Sequence, residues 1–408
     1  MNSSTNRFTG ERKAMMIYFI YYFAYSSIYI ARMNFSVVSA LFESAGTLNK
    51  TQIGWIGSIF AFTYAFMKIP GGYIGDRVPA RKVITFGLLV TALSNLFIGF
   101  MPMFYSIAIM WGLNAVGQSL LWGPVLKTVN SCFSGEKAKV MCQWLSSSVA
   151  VGSILGLLVA GGCSSAFGAA ACFFIPGIVT LIMALGVWLT ATGQLGTPKP
   201  EGRNNSGRSI LRDKDFQEMV IPAVSHGMIK DNINVWLAVY FVDTFGIDLS
   251  AIAFYTFMIP LFGLVGRMMY PFLYKMIKDD ERISMLAFAC CVVLLVPLCI
   301  PGVGPVVAML CLGMISAMVS VINVHILSMF PSQHAKDGNV AFTASLMDVL
   351  TYGGAGLGSL VFGTLIHQYG YFSMFGIWAA VSLLSIGCLL YRKYGKQKRQ
   401  QRGCCENK

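Results

Sequence analysis

Residues 83–101 read VITFGLLVTALSNLFIGFM, a run without a single charge. A helix made of them has no charged face to turn toward water. At about 1.5 Å per residue it is about 28 Å long, close to the thickness of a bilayer's hydrocarbon core. Residues 372–390 form a second run of the same kind. Working outward from these two, apolar runs predict helical spans at 14–42, 52–75, 83–101, 104–129, 141–165 and 169–191. A further set follows at 219–243, 251–275, 284–300, 303–330, 338–366 and 370–391. The chain has 408 residues, 56% hydrophobic and only 12% charged, against about 25% charged in soluble domains. The spans and their short links use up the chain, so the fold class expected is an all-α membrane protein of twelve transmembrane helices. A soluble helical bundle is excluded, because its helices would alternate polar and apolar faces.

The interval 193–218 is rich in Gly, Pro and charge and has no apolar periodicity. It reads as a linker between a six-helix half at 1–192 and another at 219–392, followed by a basic tail at 393–408. The net charge of +13 would suit a nucleic-acid surface, but its placement argues against one. Cations cluster at Arg7, Arg12 and Lys13, at Arg77, Arg81 and Lys82, at Lys137 and Lys139, in the linker, at Lys275, Lys278, Arg282 and Lys336, and in the basic stretch from Arg392 to Lys408. These are alternate loops, and Lys50 is the exception among the rest. The asymmetry follows the positive-inside rule and puts both termini in the cytoplasm. No cleavable signal peptide is expected, since no small-residue cleavage site follows the first apolar run. Eleven cysteines without a CxxC pair argue against a disulfide framework or a zinc site, and no cofactor is implied. Cys404 and Cys405 in the tail read as an inert pair.

Ionised side chains inside a span are costly, at about 2.5–3.5 kcal/mol each near the bilayer centre. Arg32, Lys68, Lys230, Asp231 and Asp348 all fall inside predicted spans. Lys230 lies roughly 16 Å into its span, too deep to snorkel to water. Tyr25, Tyr29 and Arg32 share one helix face, as do Lys230 and Asn234, and Asn114, Gln118 and Trp122. Asn323 and His325 add polar groups to the tenth span. An Arg on one half and a Lys on the other would suit a multiply charged anion, the Arg as a planar fork and the Lys as a point charge.

Between spans two and three the chain reads Gly72-Tyr-Ile-Gly-Asp76-Arg77-Val-Pro-Ala-Arg81-Lys82. This resembles the major facilitator loop motif G-x-x-x-D-R-x-G-R-R/K, in which Asp76, Arg77 and Arg81 would latch a cytoplasmic gate. Tyr25-Ser-Ser-Ile-Tyr29-Ile-Ala-Arg32-Met-Asn34-Phe35 resembles the first helix of the organophosphate:phosphate antiporter family. That family includes bacterial glycerol-3-phosphate and hexose-phosphate carriers. Lys230 with Trp236, Tyr64 with Lys68, Asn114 with Gln118, Trp122, Pro124 and Lys127, and His325 with Leu327 and Pro331 resemble its seventh, second, fourth and tenth helices.

The resemblance implies two pseudo-symmetric six-helix halves in a bacterial plasma membrane, a functional monomer, and alternating access. It implies that Arg32 and Lys230 hold the phosphate of a small anionic solute. Tyr25, Tyr29, Lys68, Asn114, Gln118, Trp122, Asn234, Trp236 and His325 would surround it. Asp348 stands where the family usually has a small residue. Asp231 and Asp348 are therefore candidates for a coupling-ion site or for plain counter-charges.

Three functions follow as expectations. The first is exchange of a phosphorylated metabolite for phosphate. The second is proton- or sodium-coupled import of a carboxylate such as a sugar acid, and the third is a transporter-shaped sugar-phosphate sensor. No nucleophile–base pair or phosphate-cradling loop suggests an enzyme.

Overall fold

Lipid offers no partner to backbone amides, so each spanning segment must close its hydrogen bonds within itself. The computed structural model describes residues 2–133, 135–190, 211–332 and 340–406, and among these residues the regular structure is helical. The helices are α1 (Asn2–Ser44), α2 (Lys50–Arg77), α3 (Ala80–Phe100), α4 (Phe104–Ser119), α5 (Trp122–Cys132), α6 (Gly135–Phe167) and α7 (Ala171–Leu189). They continue as α8 (Lys214–Phe245), α9 (Leu249–Ile277), α10 (Asp280–Leu298), α11 (Pro305–Val324), α12 (Val340–Tyr369) and α13 (Tyr371–Glu406). Beyond α11 a π-helical turn, His325–Met329, leads into Phe330–Ser332. Ten described helices are long and apolar enough to cross a membrane. The two predicted spans that fall short are the broken α4–α5 and α8, which carries Lys230 and Asp231 in its middle.

Three boundaries differ from the sequence-based expectation. The span expected at 104–129 breaks at Leu120 and Leu121. Pro124 explains the break: it has no N–H for the carbonyl four residues back, and its ring crowds that carbonyl. The linker expected to end at 218 ends earlier, because α8 already begins at Lys214. There the Asp213 carboxylate accepts the Asp215 N–H at 3.0 Å, and the Asp213 carbonyl accepts the Phe216 N–H at 3.1 Å. Residues 193–210 of the linker lie outside the described residues, as do the side chains of Cys404 and Cys405. The tail expected to be separate from residue 393 continues α13 as far as Glu406.

The chain forms two compact units. Unit 1 is Met1–Gln52, Ile59–Glu201 and Gly246–Phe257; unit 2 is Ile53–Ser58, Gly202–Phe245 and Met258–Lys408. In unit 1, α1 packs on α6 and α7, and α3 on α4 and α7. In unit 2 the same pairings recur, with α8 on α12 and α13, and α10 on α11 and α13. One arrangement of helix pairings is thus used twice.

Small residues set the closest of these approaches, as they do between helices in lipid generally. A β-carbon on Gly227 of α8 would run into the Thr351 carbonyl of α12, and one on Gly354 into the Val224 carbonyl. Gly227→Val should therefore pry α8 from α12 and lower stability by roughly 1–3 kcal/mol or more. The control is Gly353→Ala, where a new β-carbon meets nothing within 4 Å and the change should be neutral or mildly stabilising. Thermal denaturation of the two purified variants checks this. Equal melting temperatures would show that the α8–α12 contact is not tight.

Candidate functional site

Arg32 sits on α1 among aromatic rings from its own helix and from α2. Its guanidinium carbon lies 4.6 Å from the ring centre of Phe60, 5.6 Å from Tyr64 and 5.9 Å from Tyr29. The Lys68 ammonium lies 5.0 Å from the same Tyr64 ring. Both cations therefore meet one aromatic ring, at most 10.6 Å apart by adding the two distances. Tyr25 joins the group through Tyr29 at 5.7 Å and Trp122 of α5 at 5.0 Å between ring centres. Unit 1 thus gathers Arg32, Lys68, Tyr25, Tyr29 and Trp122 on neighbouring elements.

Asn114 and Gln118 belong to this neighbourhood in a different capacity. Both are fully buried, and their amides point at α1. Asn114 donates to the Ala31 carbonyl at 3.2 Å. Gln118 donates to the Ile28 carbonyl at 3.1 Å and to the Asn114 side chain at 2.9 Å. From α3, Asn95 adds a second amide to the Ala31 carbonyl at 3.2 Å and accepts from Asn34 at 2.9 Å. Four amides therefore fasten the turn that carries Arg32 to α3 and α4. Buried amides need such partners, and here the satisfied network holds a side chain in position.

The loop residues take separate partners. Arg77 lies over the Tyr73 ring at 3.4 Å, and Arg81 of α3 over Trp188 of α7 at 4.1 Å. Lys127 donates to the Gly75 carbonyl at 3.2 Å, placing a cation at the negative end of α2. The side chain of Asp76 lies outside the described residues.

In unit 2 the Lys230 ammonium is 3.4 Å from a carboxylate oxygen of Asp231 and 5.3 Å from the Tyr352 ring centre. Asn234 turns its amide back onto the Lys230 carbonyl at 3.2 Å. Asp348 is partly buried on α12, one helical turn before Tyr352. Trp236 and His325, two of the residues expected around the solute, both lie in the interior. Trp236 is packed in the interior at 1% exposure. His325, likewise buried, lies 2.7 Å through Nδ1 from the Ser284 hydroxyl of α10. A second buried histidine, His226, lies 3.4 Å from the Asn323 amide of α11. It stands one turn before Lys230 on the same face, a spacing visible in the sequence.

Arg392 was expected to open a basic tail, and the structure instead buries it at 1% side-chain exposure. Its guanidinium faces Asp215 at 3.8 Å and Glu218 at 3.9 Å, both on α8, and Glu281 of α10 at 3.5 Å. It also lies over Phe330 at 4.9 Å. Beside it, Lys393 pairs with Asp279 at 2.7 Å and Arg282 with the same carboxylate at 3.3 Å. Asp279 also caps α10, accepting the N–H groups of Glu281 and Arg282 at 3.1 Å. Partial burial alone would push the Asp279 carboxyl upward. The Lys393 hydrogen bond and the Arg282 N–H and charge outweigh it and hold the group below its usual value. The signal for this cluster was present as acids at span ends, which a count of cations alone passes over.

The model described as Major Facilitator Superfamily matches residues 15–352. The chain belongs to this superfamily. Its fold agrees with solved facilitators at low identity. The nucleoside transporter NupG matches with a TM-score of 0.78 at 12% identity, covering 94% of this chain and 99% of that one. A bacterial homolog of the human lysosomal transporter Spinster gives 0.71 at 16%, covering 93% and 94%.

Among curated relatives, this facilitator is 27% identical over 169 residues to a probable hexose phosphate transport protein of Chlamydia trachomatis, covering 41% of this chain and 37% of that protein. It is 23% identical over 268 residues to the membrane sensor protein UhpC of Escherichia coli, covering 59% and 60%. It is 26% identical over 228 residues to the glycerol-3-phosphate transporter of Haemophilus influenzae, covering 51% and 48%. The matches thus span between 37% and 60% of these relatives' lengths.

Proposed function

We propose that this facilitator carries phosphorylated metabolites across a membrane and exchanges them for inorganic phosphate by alternating access. The observation that carries the reading is Arg32 and Lys68 meeting at the Tyr64 ring in unit 1. Aromatic faces restrain a guanidinium's plane, and its N–H fork then suits two oxygens of one phosphate. Lys230 of unit 2 is the second cation that the family resemblance implies for the phosphate. Exchange follows where the empty site reorients more slowly than the loaded one. Relatives named for hexose phosphate and glycerol-3-phosphate support this substrate class. Both termini then face the cytoplasm of a bacterial cell, and one chain suffices for transport.

A sensor reading has one observation behind it, the match spanning 60% of UhpC. Proteoliposomes separate the readings. The carrier reading expects uptake of labelled phosphate that requires internal phosphate and is inhibited by sugar phosphates more than by gluconate. Uptake driven by a pH gradient without internal phosphate would point to a symporter. Sugar-phosphate binding without any movement would point to a sensor.

A further inference from the structure

Lys230 and Asp231 are neighbours in sequence, yet their charged groups lie 3.4 Å apart. Adjacent side chains leave a helix about 100° apart and do not face one another. The long, flexible Lys230 stem lets its ammonium reach Asp231 while it also lies 5.3 Å from the Tyr352 ring centre. The two side chains keep only 25% and 16% exposure, so water screens their fields poorly.

We propose that Asp231 sets the charge selectivity of the anion site by cancelling much of the Lys230 field. The inference rests on the carrier reading above and adds a specificity-determining residue to it. An anion approaching Lys230 is drawn by the ammonium and repelled by the carboxylate beside it, and both effects scale with the anion's charge. A dianion is therefore preferred over a monoanion only by the net field. With Asp231 in place that field is small, and a second negative charge gains little. A carrier must also release its solute, and a partly cancelled cation serves release better than a bare one. Asp231→Asn keeps the shape and removes the charge. It should tighten both anions, the dianion more, and slow turnover as release slows.

The test uses the full chain in proteoliposomes. Inhibition constants of phosphate, held above its second ionisation as the dianion, and of gluconate as the monoanion are measured against labelled phosphate. The preference for phosphate should rise about tenfold in Asp231→Asn and stay near the parent's in Asp231→Glu. A residue that only neutralised Lys230 for folding would change the yield and leave the ratio alone, and an unchanged ratio in the inserted variant overturns the proposal. The double variant Lys230→Gln, Asp231→Asn removes both charges of the pair and guards against poor insertion. Its ratio should stay close to the parent's, and a large fall would show that Asp231 leaves the Lys230 field intact. If the parent itself binds neither anion, the carrier reading fails and this inference with it. If the parent binds both and Asp231 does not alter their ratio, this inference alone fails.

Discussion

Replacing Arg392 by alanine should destabilise unit 2 by about 3–5 kcal/mol, the range seen when one partner of a buried ion pair is removed. The guanidinium is the cation among three carboxylates that approach it within 3.9 Å or less. Among the described residues its nitrogens make no hydrogen bond, so its hold on Asp215, Glu218 and Glu281 is Coulombic, assisted by the Phe330 ring. Without it, acids at the starts of α8 and α10 repel one another in a poorly hydrated pocket. Helix N-termini favour acids, which softens the loss without cancelling it.

Arg392→Lys should lose less, since the charge remains while the planar stack on Phe330 is gone. Adding Glu281→Gln to Arg392→Ala should recover part of the loss by lowering the repulsion. A melting temperature lower by roughly 10 °C in Arg392→Ala is the expected reading. A parent-like value would show that the carboxylates are protonated or hydrated and need no cation.

Arg32→Ala should lower phosphate transport by on the order of a hundredfold or more, while protein yield stays at the parent's level. Removing a partly buried charge that meets an anion costs on the order of 2–5 kcal/mol of binding, whereas insertion becomes easier without the cation. Arg32→Lys keeps the charge and loses the fork, so it should fall between the parent and the alanine variant. Asn95→Leu is an informative companion, because Asn95 donates to the Ala31 carbonyl, one residue from Arg32 on α1. Its effect should fall on the position of Arg32 and be smaller than that of Arg32→Ala. Parental transport in a well-inserted Arg32→Ala protein would place the anion site elsewhere.

Much of this molecule was legible before any coordinates. A bilayer tolerates few sequence patterns, so apolar length located most of the helices. The stripes of Tyr25, Tyr29 and Arg32 and of Lys230 and Asn234 followed from helical period alone. The break before Trp122 was legible in principle from Pro124, but the long apolar run concealed it.

What the sequence could not show is which polar groups meet, since that depends on the approach of helices far apart in the chain. Asn114 and Gln118 share a helix face in the sequence, and only the packed structure shows that their amides reach the α1 backbone. Arg392 looked like a loop cation until α8 and α10 brought three acids around it. Lys230 and Asp231 are adjacent in sequence, yet helix geometry alone argues against their pairing. Only their shared, poorly hydrated surroundings in unit 2 make the contact favourable. Composition and period determined where the chain crosses the membrane and which residues are costly to bury there. Tertiary structure decided how each is compensated, because in a medium without water every buried polar group must find its partner on another part of the fold.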